Sequence, residues 1–458
     1  MSFVLSLLLC VVSAFLFSAM AWALDIRVEQ YGFRPSALPA ENTAAWNRAI
    51  AAIPSTGARV VIPDGTYYTN GLLVISKHHT QIVGGGGDGS RTGRTKLICT
   101  RSNDHSLRWI SSNHIEVKGL YLGHSVPTSE NIAALVLDGF LDATVDNVST
   151  WRSEGWDQRE NSANGLLAMT LSGVQSGGLR VQNSMFMSHP RFGIEVRGAS
   201  NAADIQETSI FNNHMMNNAG GGLLIGHWVG GLYFRGNSMW NNGYAIYAPA
   251  TIIGATHDIF IENNIIDCST YENIHMTNVD SGHIKSNWIS CAGGISGHNV
   301  FGVAIQGDTS PYPPNWEISD NKFVVNRRGG LLFDLKKARI HNNTFRGRGI
   351  ESGDISLALS SISGLNSVFG NHFTDTAIPI EDFGAGNLLG VNTIESYTSP
   401  VAHDGLRILG GALGLTKTFT PPPISDTAQI FVRPGPNGKI QAVILWPNGT
   451  VGVLATEP

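Results

Sequence analysis

Between Trp151 and Glu160 lie three carboxylates (Glu154, Asp157, Glu160), two arginines (Arg152, Arg159) and two tryptophans (Trp151, Trp156). No other stretch of the chain is so dense in charged and aromatic side chains. Sugar chemistry uses that mixture. Indole faces stack on pyranose rings, carboxylates exchange protons at a glycosidic oxygen, and arginine grips a uronate carboxylate through paired hydrogen bonds. The same stretch also reads as a solvated turn whose tryptophans pack on the surface beneath.

Further candidates follow at intervals that suit one face. His189 and Arg191 fall at the height of Glu154 one repeat later, and Glu195 and Arg197 alternate outward between inward Ile194 and Val196. Tyr247, His275 and Asp334 continue the series, with His227, Thr277 and Gln306 near them. Glu154, Asp157, Glu160, His189, Arg191 and Glu195 are the catalytic candidates. Trp151, Trp156, Arg159, Arg197, Tyr247, His275 and Asp334 are the substrate-binding ones. Two reactions compete for them. A β-elimination needs a neutral base at the proton α to a uronate carboxylate and a cation to quench the enolate, roles open to His189, Arg191 and Arg197. A hydrolysis needs two carboxylates flanking the bond, which Glu154, Asp157, Glu160 and Glu195 could supply. Uronate epimerisation shares the first step of elimination. Each outward Arg or His taken alone is ordinary solvated surface.

The elements that would position these residues are repeats. The phrases VQNSMFM, FNNHMMN, RGNSMWN, ENNIIDC, KSNWISC, SDNKFVV, HNNTFRG and FGNHFTD align on Asn183, Asn213, Asn237, Asn264, Asn287, Asn321, Asn343 and Asn371. Two residues on, Met185, Met215, Met239, Ile266, Ile289, Phe323, Phe345 and Phe373 are apolar, and fainter copies stand at Asn147 and Asn392. Spacings of about 21 to 36 residues mark stacked repeats. A strand-length phrase of period two makes each repeat one turn of a coil, with turns about 4.8 Å apart as parallel neighbours. The reading is all-β: a right-handed parallel β-helix with an Asn ladder at a corner and stacked apolar side chains in its bore. Its length escapes the usual domain count because a solenoid grows in one dimension.

Composition narrows the function further. A net charge of −5 and the absence of any basic run give no case for nucleic acid. Gly84 to Gly87 lack the Gly-x4-Gly-Lys spacing of a phosphate loop and read as a turn. Residues 1–23 are uncharged and apolar and end in Ala21-Trp22-Ala23, a signal-peptide pattern that implies a secreted, periplasmic or cell-surface protein. No later stretch is long enough to span a bilayer. Cys99, Cys268 and Cys291 show no CxxC spacing and so no zinc signature; Cys268 and Cys291 stack on adjacent turns as a thiol ladder or a disulfide. No cofactor is evident, and a Ca2+ site lacks an Asp cluster to support it.

Along the chain, Asn42 or Thr43 is expected to cap a helix burying Trp46, Ala49, Ile50 and Ile53, and ARVVIPDGTYY to form a strand and tight turn. The coil is expected over 24–400, with enlarged turns after Asn147 and after Cys291, the latter carrying His298, Asp308 and Tyr312. A Pro-rich linker (401–423, with Pro421 to Pro423) and a C-terminal β-module of three alternating strands (424–458) follow.

YGF, NTAAWNRAIAAI, ARVVIPDGTYYTNGLLV, IVGGGG and TKLIC resemble the opening of the pectate-lyase superfamily. The resemblance implies a parallel β-helix whose N-terminal helix plugs the coil, and an exported protein acting on a polysaccharide. Glu41-Asn42 stands where that family prefers two Asp residues. The polygalacturonase signatures are not present in order; Gly282-His283-Ile284-Lys285 is a fragment of one. The C-terminal module resembles those ending phage-tail-like and bacterial exported proteins, and fits a monomer or a homotrimer. The function expected is a polysaccharide lyase or glycoside hydrolase on an acidic, uronate-containing glycan. The alternative is a non-catalytic glycan-binding or tail-spike-like surface protein.

Overall fold

The computed structural model describes residues 24–85, 94–150, 162–170, 175–250, 255–294, 299–307, 315–348 and 354–395, with short stretches between 407 and 456. It comprises two compact units, Met1–Ile266 and Asp267–Pro458.

In the first unit the period-two alternation becomes short strands buried on one side only, such as Ala58–Ile62 and Thr80–Gly84. They pair in parallel, each strand with its equivalent one coil on. One bore row runs Val60, Ile82, Val117, Val145, Val181, Ile210, Phe234 and Ile261. All eight are essentially without solvent contact. Leu107–Lys118 and Ala133–Asp146 are long enough to turn a corner, and each pairs on two faces. The second unit repeats the scheme. Its bore rows include Ile284, Ile318, Ile340 and Val368, and Phe323, Phe345 and Phe373 stack at 4.6 and 5.0 Å between centroids. Its last three strands, Gln429–Pro434, Ile440–Leu445 and Val451–Thr456, are antiparallel instead. The chain is a right-handed parallel β-helix.

Buried asparagines join successive coils at one corner. Asn213 Nδ2 donates to Asn237 Oδ1 at 3.1 Å, and Asn237 Nδ2 to Asn264 Oδ1 at 3.1 Å. In the second unit Asn287, Asn321, Asn343, Asn371 and Asn392 are linked in the same way, each step 3.0 Å. Each Oδ1 that accepts in these steps also accepts the backbone amide of the asparagine one coil earlier, so groups sealed from water are satisfied.

The phrase at Asn183 is one residue out of step with this row. Met185 pairs with His214, so Ser184, not Asn183, occupies the place of Asn213, and Phe186, not Met185, enters the bore. Ser184 substitutes because its Oγ accepts the Val148 amide at 3.0 Å and donates to Gln182 O at 2.7 Å. Asn183 takes the left-handed corner (φ 50°) and donates to Asp146. Asn147 is shifted likewise, with Val148 in the row.

The N-terminal helix spans Pro39–Ala51, starting before the caps expected at Asn42 or Thr43. Pro39 sits at the first helical position, where its missing N–H costs nothing, and Glu41 accepts the Leu38 amide at 3.1 Å. Asn42 and Thr43 tie the helix to the coil instead. Asn42 accepts from the Arg34 amide and donates to Tyr68 O, and Thr43 Oγ1 accepts the Asn70 amide. Trp46, Ala49, Ile50 and Ile53 are buried, with Trp46 Nε1 donating to Leu73 O. No helix among the described residues is long and apolar enough to cross a membrane.

Candidate functional site

On an uncovered solenoid, outward side chains of a strand meet water. Leu73 and Ile75 do so, at 40% and 51% exposure. The next coils differ. In register with Leu73, an outward row runs Arg108, Val136, Leu167, Glu195, Leu224 and Tyr247. In register with Ile75, a second runs Ile110, Asp138, Met169 and Arg197. Val136, Leu167, Asp138 and Glu195 are all buried despite pointing out of the coil. This patch, carried on Leu107–Lys118, Ala133–Asp146, Asn164–Met169 and Phe192–Arg197, is the candidate site.

Its charges are arranged as two ion pairs flanking an apolar strip. Arg108 Nη2 donates to Asp138 Oδ2 at 2.9 Å, and Arg197 Nη1 lies 3.3 Å from Glu195 Oε1. Both carboxylates are buried, whereas the Arg108 and Arg197 side chains keep 34% and 44% of their surface. Val136, Leu167 and Met169 pack together between them. Asp138 Oδ1 and Arg108 Nε, both buried atoms, have no hydrogen-bond partner among the described residues, an unusual state for buried polar atoms. The patch therefore presents cationic edges over fixed anions, an arrangement able to take a carboxylate or hydroxyls of a sugar.

Beside it, three histidines fill the turn. A carbonyl can only accept, which fixes the tautomers. His189 Nδ1 donates to Ser162 O at 2.9 Å, so Nε2 accepts from Thr150 Oγ1 at 2.8 Å. His124 Nε2 donates to Asp104 O at 2.7 Å and Nδ1 accepts from Ser162 Oγ at 2.6 Å. His105 Nδ1 accepts the Ala133 amide at 3.1 Å, leaving the proton on Nε2. Burial pushes His189 down to about 4. Burial, then the Arg108 charge, pushes His105 to about 4. Burial also lowers His124. All three are neutral pegs at neutral pH. Gly165 is required here, since a Cβ would stand 2.7 Å from Thr150 Oγ1 and 2.9 Å from His189 Nε2.

The expected site residues thus divide. Glu195 and Arg197 lie together in the patch, with Tyr247 two strands further along the first row, its ring stacked on Tyr244 at 4.5 Å. Arg191 reaches back to Glu130 O at 3.0 Å. His189 is fully buried with both ring nitrogens engaged, so as placed it meets no substrate. The reason is register: the His189 amide donates to Asn218 Oδ1 at 3.1 Å, so His189 stands one coil before the buried Asn218 and Asn242 in the same row. His275 and Asp334 belong to the second unit, where His275 Nε2 lies 3.2 Å from Thr277 Oγ1 and Asp334 is half-buried. Trp151, Glu154, Trp156, Asp157, Arg159 and Glu160 lie outside the described residues, as do His298, Asp308, Tyr312 and residues 1–23.

Sequence reasoning missed Arg108, Asp138, His105 and His124. A signal for Asp138 existed: it is the one charge in the apolar run AALVLDGF, at an outward position.

A sequence model described as a right handed beta helix region matches residues 170–345. No curated protein matches the chain. Among solved structures, the chain is similar to a PL6 alginate lyase in complex with a trisaccharide, at 12% identity and TM-score 0.53, over 81% of this chain and 85% of that one. It is similar to the A-module of the mannuronan C-5 epimerase AlgE6 of Azotobacter vinelandii at 13% identity and TM-score 0.51, over 85% of this chain and 100% of that one. It is also similar to tailspike protein 3 of bacteriophage CBA120 at 13% identity and TM-score 0.52, over 94% of this chain and 69% of that one. At these identities the likeness is one of fold.

Proposed function

We propose that the protein acts on an acidic, uronate-containing polysaccharide, as a lyase or glycoside hydrolase, on the outward patch around Asp138 and Glu195. One observation carries the reading: two buried carboxylates, each paired with a half-exposed arginine, stand on the outer face of a coil whose bore is packed solid. Structural carboxylates on a solenoid surface are ordinarily solvated; sheltering them is costly unless they orient something. Arg108 and Arg197 would hold uronate carboxylates, and in an elimination their charge would quench the enolate. Glu154, Asp157 and Glu160, in the segment joining Thr150 to Ser162, are the proposed acid and base residues, with Trp151 and Trp156 as stacking platforms. Solved structures of the same fold include proteins named as an alginate lyase and a mannuronan epimerase, which supports a uronate substrate. Export, directed by residues 1–23, goes with this reading.

The second reading is a glycan-binding, tail-spike-like protein, favoured by the likeness to a phage tailspike over 94% of the chain. Incubation with polyuronates and neutral glucans separates the two, following unsaturated uronate by absorbance together with new reducing ends. Both rising marks a lyase and reducing ends alone a hydrolase. Binding without either product marks the second reading, and neither binding nor product sinks both.

A further inference from the structure

The turn after the Trp288–Ser290 strand gathers the two cysteines that the repeat spacing stacks on adjacent turns, both as free thiols, and adds a carboxylate to them. A carboxylate oxygen of Asp267 and the sulfurs of Cys268 and Cys291 lie within 4.8 Å of one another, all three residues half-buried. The coil register brings them together, because the Cys268 amide donates to Ser290 O at 3.0 Å and so sets residue 268 beside 291. Both cysteines take the left-handed conformation, φ 55° and 60°, which aims their side chains alike. At Gly294 a Cβ would stand 2.3 Å from the Cys291 sulfur, so glycine leaves that thiol its room. The carboxylate is held as well. Ser290 Oγ donates to Asp267 Oδ1 at 2.6 Å, and Trp288 Nε1 donates to Ser290 Oγ at 2.7 Å. Such a relay orients the carboxylate, as outer-shell partners do for a metal ligand.

We propose that Asp267, Cys268 and Cys291 form a binding site for a thiophilic divalent cation of the zinc class. Two sulfurs and one oxygen supply three corners of a tetrahedron, and water takes the fourth. Bonds of about 2.3 Å to sulfur and about 2.0 Å to oxygen require the donor atoms, now within 4.8 Å of one another, to close by no more than about 1 Å. Calcium is disfavoured, since it takes six or more oxygen donors. Ligation through two thiols releases their protons, so affinity rises with pH.

The test is titration of the full-length protein, reduced with a phosphine and stripped of metal, with Co(II). One equivalent should produce a thiolate-to-cobalt charge-transfer band with the intense visible bands of a tetrahedral ion, and Zn(II) should displace it. C268S or C291S should abolish the band, and D267N should weaken binding. S290A should weaken it by about 10- to 100-fold, the usual loss on removing an outer-shell partner. Cys99, buried in the other unit, serves as the internal control, and C99S should change nothing. No band at one equivalent, or a band indifferent to D267N, overturns the proposal. So does peptide mapping that finds Cys268 and Cys291 disulfide-bonded in protein purified without reductant.

Discussion

Arg108 holds Asp138 through a single 2.9 Å hydrogen bond on the outer face of the coil, while the second oxygen of Asp138 has no partner among the described residues. A buried carboxylate so tied depends on its counter-charge. Arg108→Leu should therefore lower stability by about 3 kcal/mol, the usual cost of stranding a buried charge. Arg108→Leu/Asp138→Leu should recover most of it, because two apolar groups replace the pair. Denaturant midpoints of the three proteins decide this. A double variant no better than the single would mean that Asp138 is stabilised by something other than Arg108.

The corner asparagines predict a larger and purely structural effect. Asn343 donates to Ile318 O, His341 O and Asn371 Oδ1, and its Oδ1 accepts from Asn321. Asn343→Ala leaves several buried groups unpaired at about 1–3 kcal/mol each, so a loss of at least about 3 kcal/mol is expected. Asn343→Leu should rescue none of it, since volume is not what is missing.

Within the same unit, Phe345 stacks between Phe323 and Phe373 with no solvent contact. Phe345→Ala should cost about 3–5 kcal/mol by opening a cavity in the bore. Phe345→Leu, which keeps most of the volume, should cost less than half as much.

The buried histidines make stability depend on acidity. His105 and His189 are held neutral down to about pH 4 in the folded chain, whereas in the unfolded chain they protonate near their ordinary value of 6.5. Between those values the unfolded state binds more protons, so stability falls as pH drops from about 6.5 to 4. His105→Gln/His189→Gln should be less stable at pH 7 but show a flatter decline over this window, measured by urea midpoints. An equally steep decline in the variant would place the responsible groups elsewhere.

The coil was legible because its signals are local. Period-two burial and a strand-length phrase around Asn213, Asn237 and Asn264 recur in the chain itself. The phrase at Asn183 falls one residue out of step because Asn183 and Ser184 are polar neighbours, and only the partner strand shows which of them turns inward. The patch was legible only in part. Glu195 and Arg197 alternate with Ile194 and Val196 as strand geometry dictates, but the burial of Val136 and Leu167 depends on what covers them, which periodicity does not encode. His189 stood out as a base in the sequence, yet its turn packs against Thr150 and Ser162. The stacking of Cys268 on Cys291 was legible from the repeat spacing, whereas the turn of the Asp267 carboxylate toward both sulfurs was not.

The central claim is that the Arg108–Arg197 face holds an acidic glycan, and binding of a labelled polyuronate oligosaccharide at equilibrium tests it most directly. The comparison is wild type against Glu195→Gln/Arg197→Ala, which removes the cation without leaving a buried carboxylate uncompensated. The account predicts affinity about ten-fold weaker or more in the variant, as expected for losing a charge-assisted contact, and wild-type binding that falls as salt is raised. Unchanged affinity in a variant that remains folded by circular dichroism would contradict it and move the glycan to another surface.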